Sequence, residues 1–418
     1  MKTGLSVGQA QSVVLAEARP LGPEVVATRD ALGRVLAEPV DASRTLPPAD
    51  NSAMDGFAVR ADDVRDAAPE RPVELPIAFE VAAGAQSQRP LGPGEAARIF
   101  TGAPLPDGAD AVVRQEDADW NQERVRILLA APPRANVRDA GEDVRAGDRV
   151  LDAGVPIRAA EIGMLAALGR TVLAVHQRPR VAILSSGDEL VEPDASVHGG
   201  RIVSSNSYSL AAQCREVGAD PVYLGIARDT REDIERRLRA GRLSDVLVSS
   251  AGVSVGDRDH MREVLEKLGC TLAFWGVQMK PGYPVAFGRF AEQGPLVFAL
   301  PGNPVSAMVT FEQFVRPALR KLAGHRTLFR PTLRARLTHA LTKSAGRLHF
   351  VRVALERRDG EVLASSTGSQ SSGVLLSMNR AHGLLVFPAD ATEIAAGATA
   401  SVQVLDPEFF MSDASGLE

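Results

Sequence analysis

At 418 residues, with 45% hydrophobic and 24% charged side chains, the chain has the balance of a folded globular protein. It is too long for one ordinary core, so two to four domains are expected. A formal net charge of −5 argues against general binding to nucleic acid or an anionic membrane surface, while leaving room for a local basic pocket. Only Cys214 and Cys270 occur, without a C-x-x-C pair or histidines at ligand spacing, which speaks against a disulfide framework or a zinc site. The first residues lack the apolar run of a signal peptide, and no segment is apolar for long enough to span a bilayer; a cytoplasmic location is the expectation.

Residues 6–18 are expected to open the fold as a helix, and residues 24–42 carry an apolar pattern ending near Pro39 and Asp41. From Thr45 to about Val137, prolines and glycines punctuate short strand-like runs (73–77, 111–113 and 125–129), the pattern of an inserted β-rich domain. Helical patterning returns over 138–177, with Ala159 to Leu168 apolar at helical spacing, so this segment and the opening one are assigned to one domain. Strand and helix signals alternate over 178–325, the mark of a doubly wound α/β unit. Thr230 and Asp233 predict the cap of a helix ending near Gly241, while Asn303 and Pro304 predict an N-cap and first-turn proline for a helix reaching Gly324. Beyond Pro331, short strands predict a small β-barrel or sandwich, and residues 411–418 read as a loose tail.

Chemistry concentrates in loops entered from short apolar strands, and in an open α/β sheet such loops gather beyond the carboxyl ends of the strands, where ligands bind. Ser185 to Leu190 places two carboxylates after a strand, and Ser249 to His260 is rich in small residues with Asp257 and Asp259 ahead of a helix. Those acids serve either as helix caps or as Mg²⁺ ligands beside a phosphate. Lys280-Pro281-Gly282-Tyr283-Pro284 sets a cation on a stiff turn, and Pro301 to Ser306 ends a strand and opens a helix. Further upstream lie the dense polar loop Pro47 to Arg60, the strand end at Arg98 to Pro106 and the acidic turn Gly141-Glu142-Asp143. Each of these, taken singly, also fits an ordinary turn or cap.

Taken together and in order, these motifs resemble the MoeA family of molybdopterin molybdenumtransferases, related to the gephyrin E domain. The match rests on Asp50 to Val59, Thr101 to Pro104, Gly141 to Asp143, Ser186 to Leu190, Gly252 to Gly256, Lys280 to Gly282 and Leu300 to Ser306. The resemblance implies an α/β multidomain fold: an elongated N-terminal α+β domain (1–44 plus 138–177), an inserted β-rich domain (45–137), a central doubly wound α/β domain of molybdopterin-binding type (178–327) and a C-terminal β-barrel (328–418). It implies insertion of molybdate into adenylylated molybdopterin, with release of AMP and help from Mg²⁺. It also implies a homodimer whose active cleft lies between subunits, and a molybdopterin adenylyltransferase and recipient molybdoenzymes as possible partners.

By position, Asp55, Thr101, Asp143, Glu189 and Lys280 would be catalytic. Ser186, Gly187, Gly252, Ser254, Gly256, Pro301, Gly302, Asn303, Pro304, Ser306, Arg352 and Ser372 would bind substrate, and Asp229 and Asp259 would hold the metal. Lys280, Arg352, Ser372 and the helix start at Ser306 are expected to attract the oxyanion, and Asp55 or Glu189 to donate protons. Two departures stand out: relatives often carry Lys where Gly276 and Tyr283 stand here, and Arg289 or Arg352 is the expected compensation. Two other readings remain, a molybdopterin adenylyltransferase, in which residues 45–137 have no role, and a non-catalytic molybdopterin-binding scaffold.

Overall fold

The computed structural model describes residues 1–85, 87, 89–251, 260–291, 294–412 and 415. Its centre is a seven-stranded mixed sheet in the order Lys2–Leu5, Cys270–Val277, Ala286–Phe290, Leu296–Leu300, Val246–Ser250, Arg180–Ser186, Asp220–Ala227. The last four run parallel, and Ala286–Phe290 is antiparallel to both its neighbours. Along Arg180–Ser186 the side chains alternate between two cores. Val181 and Ile183 join the helices Val7–Glu17, Ser205–Glu216 and Pro304–Thr310, whereas Ala182 and Leu184 join Arg231–Gly241 and His260–Lys267. Burial on both faces explains why these strands read as unbroken apolar runs.

The helix leaving Arg180–Ser186 therefore lies on one face and the one after Val246–Ser250 on the other. That divergence opens a crevice beyond the carboxyl ends of adjacent strands, the position where such sheets bind ligands.

The first residues depart from expectation. Residues 1–44 were assigned to the N-terminal domain, yet Lys2–Leu5 pairs in parallel with Cys270–Val277 at the edge of the central sheet. Helix Val7–Glu17 buries Val7, Ala10 and Val14 against that sheet. Its length and polar outer face resemble any amphipathic helix, so local pattern alone does not name the surface it covers.

Pro23–Ala27 pairs with Val172–His176, and Val40–Asp41 with Arg149–Leu151, around a small core of Leu36, Ile157, Leu165 and Val175. Between them, a six-stranded sheet runs Ala111–Arg114, Gly56–Val59, Ala96–Ile99, Val73–Val81, Arg124–Ile127, Ala118–Trp120, with a core on each face. At the C-terminus, Leu348–Arg358, Glu361–Ser366, Thr332–Leu337, Thr399–Val404 and Gly383–Phe387 close on themselves as a five-stranded barrel. Val351 and Val353 fill it, while Phe350 and Leu384 point outward into the core of the α/β unit, so Arg352 shares their outward face. Among the described residues no helix is long and apolar enough to cross a membrane.

Candidate active site

Two cavities lie near the junction of the barrel and the α/β unit, and Tyr283 of one touches Arg347 of the other. The first, about 680 Å³, lies at the crevice and is walled by Ser185, Glu189, Asn206, Ser250, Pro301 to Pro304, Tyr283 and Gly373. In-register pairing of Ser185 with Ser250, and of Ser250 with Leu300, sets the three strand-end loops side by side. Asn303 caps the helix Pro304–Thr310 with Pro304 in its first turn, as expected, but its side chain makes no capping bond and is left for the cavity. Asn206 donates from Nδ2 to Ser250 Oγ and the Gly302 carbonyl, while its buried Oδ1 has no partner among the described residues. A buried acceptor left unpaired in a cavity wall is suited to a ligand donor.

The loop after Arg180–Ser186 depends on Gly187. Its φ is +151°, and a Cβ there would lie 2.8 Å from both Glu189 carboxylate oxygens. Ser186 Oγ donates to Asp229 Oδ1 at 3.2 Å, and the Asp229 amide donates to Asp188 Oδ1 at 3.2 Å. Two carboxylates and a hydroxyl thus gather at one strand end. Gly252, Ser254, Gly256 and Asp259 lie outside the described residues.

The second cavity, about 580 Å³, sits between Lys280 and the barrel. Lys280, Lys343, Arg347, His349 and Arg352 line it, and among the described residues no carboxylate does. Strand Met279–Lys280 pairs with Leu348 and His349, which fixes Lys280 against the barrel wall. Burial, then Lys280, Lys343 and Arg347, push the His349 imidazole down to about 4. Arg352 is 1% exposed with no carboxylate partner among the described residues. Its Nε donates to Ser377 Oγ, and its Nη2 to the Ser369 and Ser371 carbonyls. Burial alone pushes its guanidinium down to about 10. A buried cation facing a cavity that lacks acids is an anion attractor by construction.

Three expectations need correction. The amide of Val305 donates to the Ser372 carbonyl at 3.1 Å, and Ser306 is 4% exposed. The helix start thus holds the barrel loop instead of offering an open anion site, and the Ser372 carbonyl is spent on that contact. Arg289 contacts Glu17 and the Gly294 carbonyl, not Lys280, so it is not the compensating cation. Asp55 accepts from the Thr101 amide at 2.7 Å and hydroxyl at 2.8 Å, which holds its carboxyl below the usual range and makes it a poor proton donor at neutral pH.

Arg352, the other cation expected to compensate, does line the cavity with Lys280, and beside it stands Arg347, which the sequence alone does not single out. Arg347 lies 4.2 Å from the centroid of the Tyr283 ring, and a Cβ at Gly276 would be 3.5 Å from the Tyr283 hydroxyl. Both departures from the lysine pattern thus form one packed unit, Gly276 under the tyrosine and Arg347 over it. Arg347 and His349 are two apart near a strand start, the spacing that puts side chains on one face. Asn206, after Ser204 and Ser205 at a helix start, carried a similar weak signal.

Asp55, Thr101 and Asp143 are exposed, with the Asp143 amide bound to the Leu46 carbonyl. The walls of both cavities come from residues 185–387. Within one subunit these three residues therefore do not join Glu189 and Lys280. Beneath Asp55, Arg98 is 9% exposed, and its guanidinium lies 4.5–5.3 Å from the rings of Trp120, Phe57 and Phe100.

Family profiles match in the same order as the structural units. The MoeA N-terminal region (domain I and II) matches residues 5–169, a probable molybdopterin binding domain residues 182–321, and the MoeA C-terminal region (domain IV) residues 334–405. A molybdopterin molybdenumtransferase of Nostoc sp. is 40% identical over 378 residues, covering 90% of this chain and 87% of that protein. Molybdopterin molybdenumtransferase 2 of Mycobacterium tuberculosis is 40% identical over 398 residues, covering 94% and 97%.

The chain belongs to the molybdopterin molybdenumtransferase (MoeA) family.

A crystal structure of the molybdopterin biosynthesis MoeA protein from Pyrococcus horikoshii superposes with a TM-score of 0.84 at 30% identity, covering 96% of this chain and 99% of that one.

Proposed function

We infer that the protein is a transferase that inserts molybdenum from molybdate into adenylylated molybdopterin, releasing AMP and molybdenum cofactor. Arg352 carries this reading: a buried guanidinium with no carboxylate partner among the described residues, in a cavity whose described lining holds no acid. The cationic cavity suits the molybdate dianion, held by Lys280 with Arg347 and Arg352. The loop cavity suits the pterin nucleotide, with Glu189, Pro301, Gly302, Asn303 and Pro304 around it and Asn206 Oδ1 free to accept from a ring N–H. Tyr283 lines the loop cavity and stacks under Arg347 of the cationic one, which supports transfer across their shared wall.

The oxygen donors at Asp229, Asp188 and Ser186 fit Mg²⁺, which favours few carboxylates completed by substrate phosphates. Bound there, it would neutralise charge at the phosphoanhydride. Asp55, held ionised by Thr101, is assigned to orienting substrate donors rather than to donating a proton. Its distance from the cavities of its own subunit supports a homodimer in which Asp55, Thr101 and Asp143 complete the partner's site, in the cytoplasm. The cationic cavity favours this reaction over adenylyl transfer, which needs no molybdate site.

The test is release of AMP from adenylylated molybdopterin on adding molybdate and Mg²⁺, followed by activation of a cofactor-free molybdoenzyme. Release that is independent of molybdate would point to a different reaction.

A further inference from the structure

A third cavity, about 340 Å³, lies away from both of those above, where residues 32–35, 176–178, 215–218 and 320–325 meet. Arg34, Arg178, Arg215, Arg320, His176 and His325 line it. Among the described residues its one acid, Glu216, is taken by Arg330 at 3.3 Å. Arg34 is bound to Glu24 and the His176 carbonyl, and Arg178 reaches Asp220 only at 4.0 Å. Among the described residues, neither Arg215 nor Arg320 has a carboxylate partner; Arg320 is turned toward the Thr327 carbonyl and His325 Nδ1.

Both histidines are held in place by their neighbours. His176 Nδ1 lies 2.8 Å from the Leu21 carbonyl and so must donate to it. Burial, then Arg320 and Arg316, push the His325 imidazole down to about 4. The geometry is built, not incidental. Gly324, at φ +82°, ends its helix against the His176 ring, and any Cβ there would collide with that ring.

We propose that this cavity binds the phosphate group of a small anion, which bridges the strand pair Pro23–Ala27/Val172–His176 to the helix ends at 215–218 and 320–325. Arg215 and Arg178 are exposed and form its mouth; Arg34, Arg320 and the two histidines form its floor. Forked guanidinium donors from separate elements match phosphate oxygens, and an anion among them would neutralise the repulsion and ease protonation of His325.

The site is read by ring NMR of full-length protein with ¹³Cε1-labelled histidine, the His325 signal being identified by its loss in His325→Gln. Pyrophosphate and glycerol 3-phosphate are titrated separately at constant ionic strength against a chloride control. Saturable movement of His325 is expected, with its titration midpoint rising by a unit or more. Arg215→Glu, a change at an exposed position, should weaken the response about tenfold or more. Stronger response to pyrophosphate makes the ligand inorganic; stronger response to glycerol 3-phosphate makes it an organic phosphomonoester. A response shared by chloride, one unchanged in Arg215→Glu, or one confined to His349 would overturn the proposal.

Discussion

At the scale of single residues, the barrel cavity and the third cavity share a signature, a histidine surrounded by cations. His349 and His325 are both pushed from 6.5 down to about 4, chiefly by burial and then by neighbouring lysine or arginine. Between these values the unfolded chain binds protons that the native protein refuses, so stability rises with pH across that window. The protein should therefore lose stability as pH falls below 6.5 and go on losing it until about pH 4. In His325→Gln/His349→Gln that slope should flatten, measured as the melting temperature at pH 7 and pH 5. An unchanged slope would mean that carboxylates elsewhere govern acid sensitivity. The residue pattern of the candidate site was legible only as types at spacings. Glu189 stood out as an acid after a strand and Lys280 as a cation on a stiff turn, whereas Arg347 acts through a ring 64 positions earlier, a contact that no local pattern encodes.

Among elements, the helices kept their signals. Thr230 Oγ1 accepts from the Asp233 amide at the start of Arg231–Gly241, as the cap predicts. Ser6 and Gln9 form a reciprocal capping box on Val7–Glu17. That helix covers the sheet edge built on Lys2–Leu5, so Ser6→Ala should cost about 1 kcal/mol of global stability in urea unfolding, without loss of the fold. Strands of the central sheet were legible because burial on both faces demands unbroken apolar runs. Two things were not. The sheet partner of Lys2–Leu5 is set by packing across 270 residues, and the start of Pro304–Thr310 read as an anion site because its Ser372 partner lies on a distant loop. Tertiary hydrogen bonding decides what a helix terminus is free to do.

For the whole molecule, the separation of Asp55, Thr101 and Asp143 from Lys280 and Glu189 makes a quantitative demand. If each site draws on two subunits, mixing and re-annealing Asp55→Ala with Lys280→Ala protein should restore about a quarter of wild-type AMP release. Half of the dimers would be mixed, each with one intact site. No recovery would place all five residues in one subunit's site. The α/β character of the centre and the C-terminal barrel were legible from changes in pattern along the chain, but the meeting of barrel and α/β unit was not, because it depends on Phe350 and Leu384 standing on the outward face of the barrel and entering the α/β core. That junction makes the acid-free cavity, and the account stands on it. Its most direct test is AMP release by Lys280→Ala at varied molybdate and at varied adenylylated molybdopterin. Half-saturation for molybdate should rise about tenfold or more while that for the pterin nucleotide stays within about twofold; equal changes in both, or none, would contradict an oxyanion seat at Lys280.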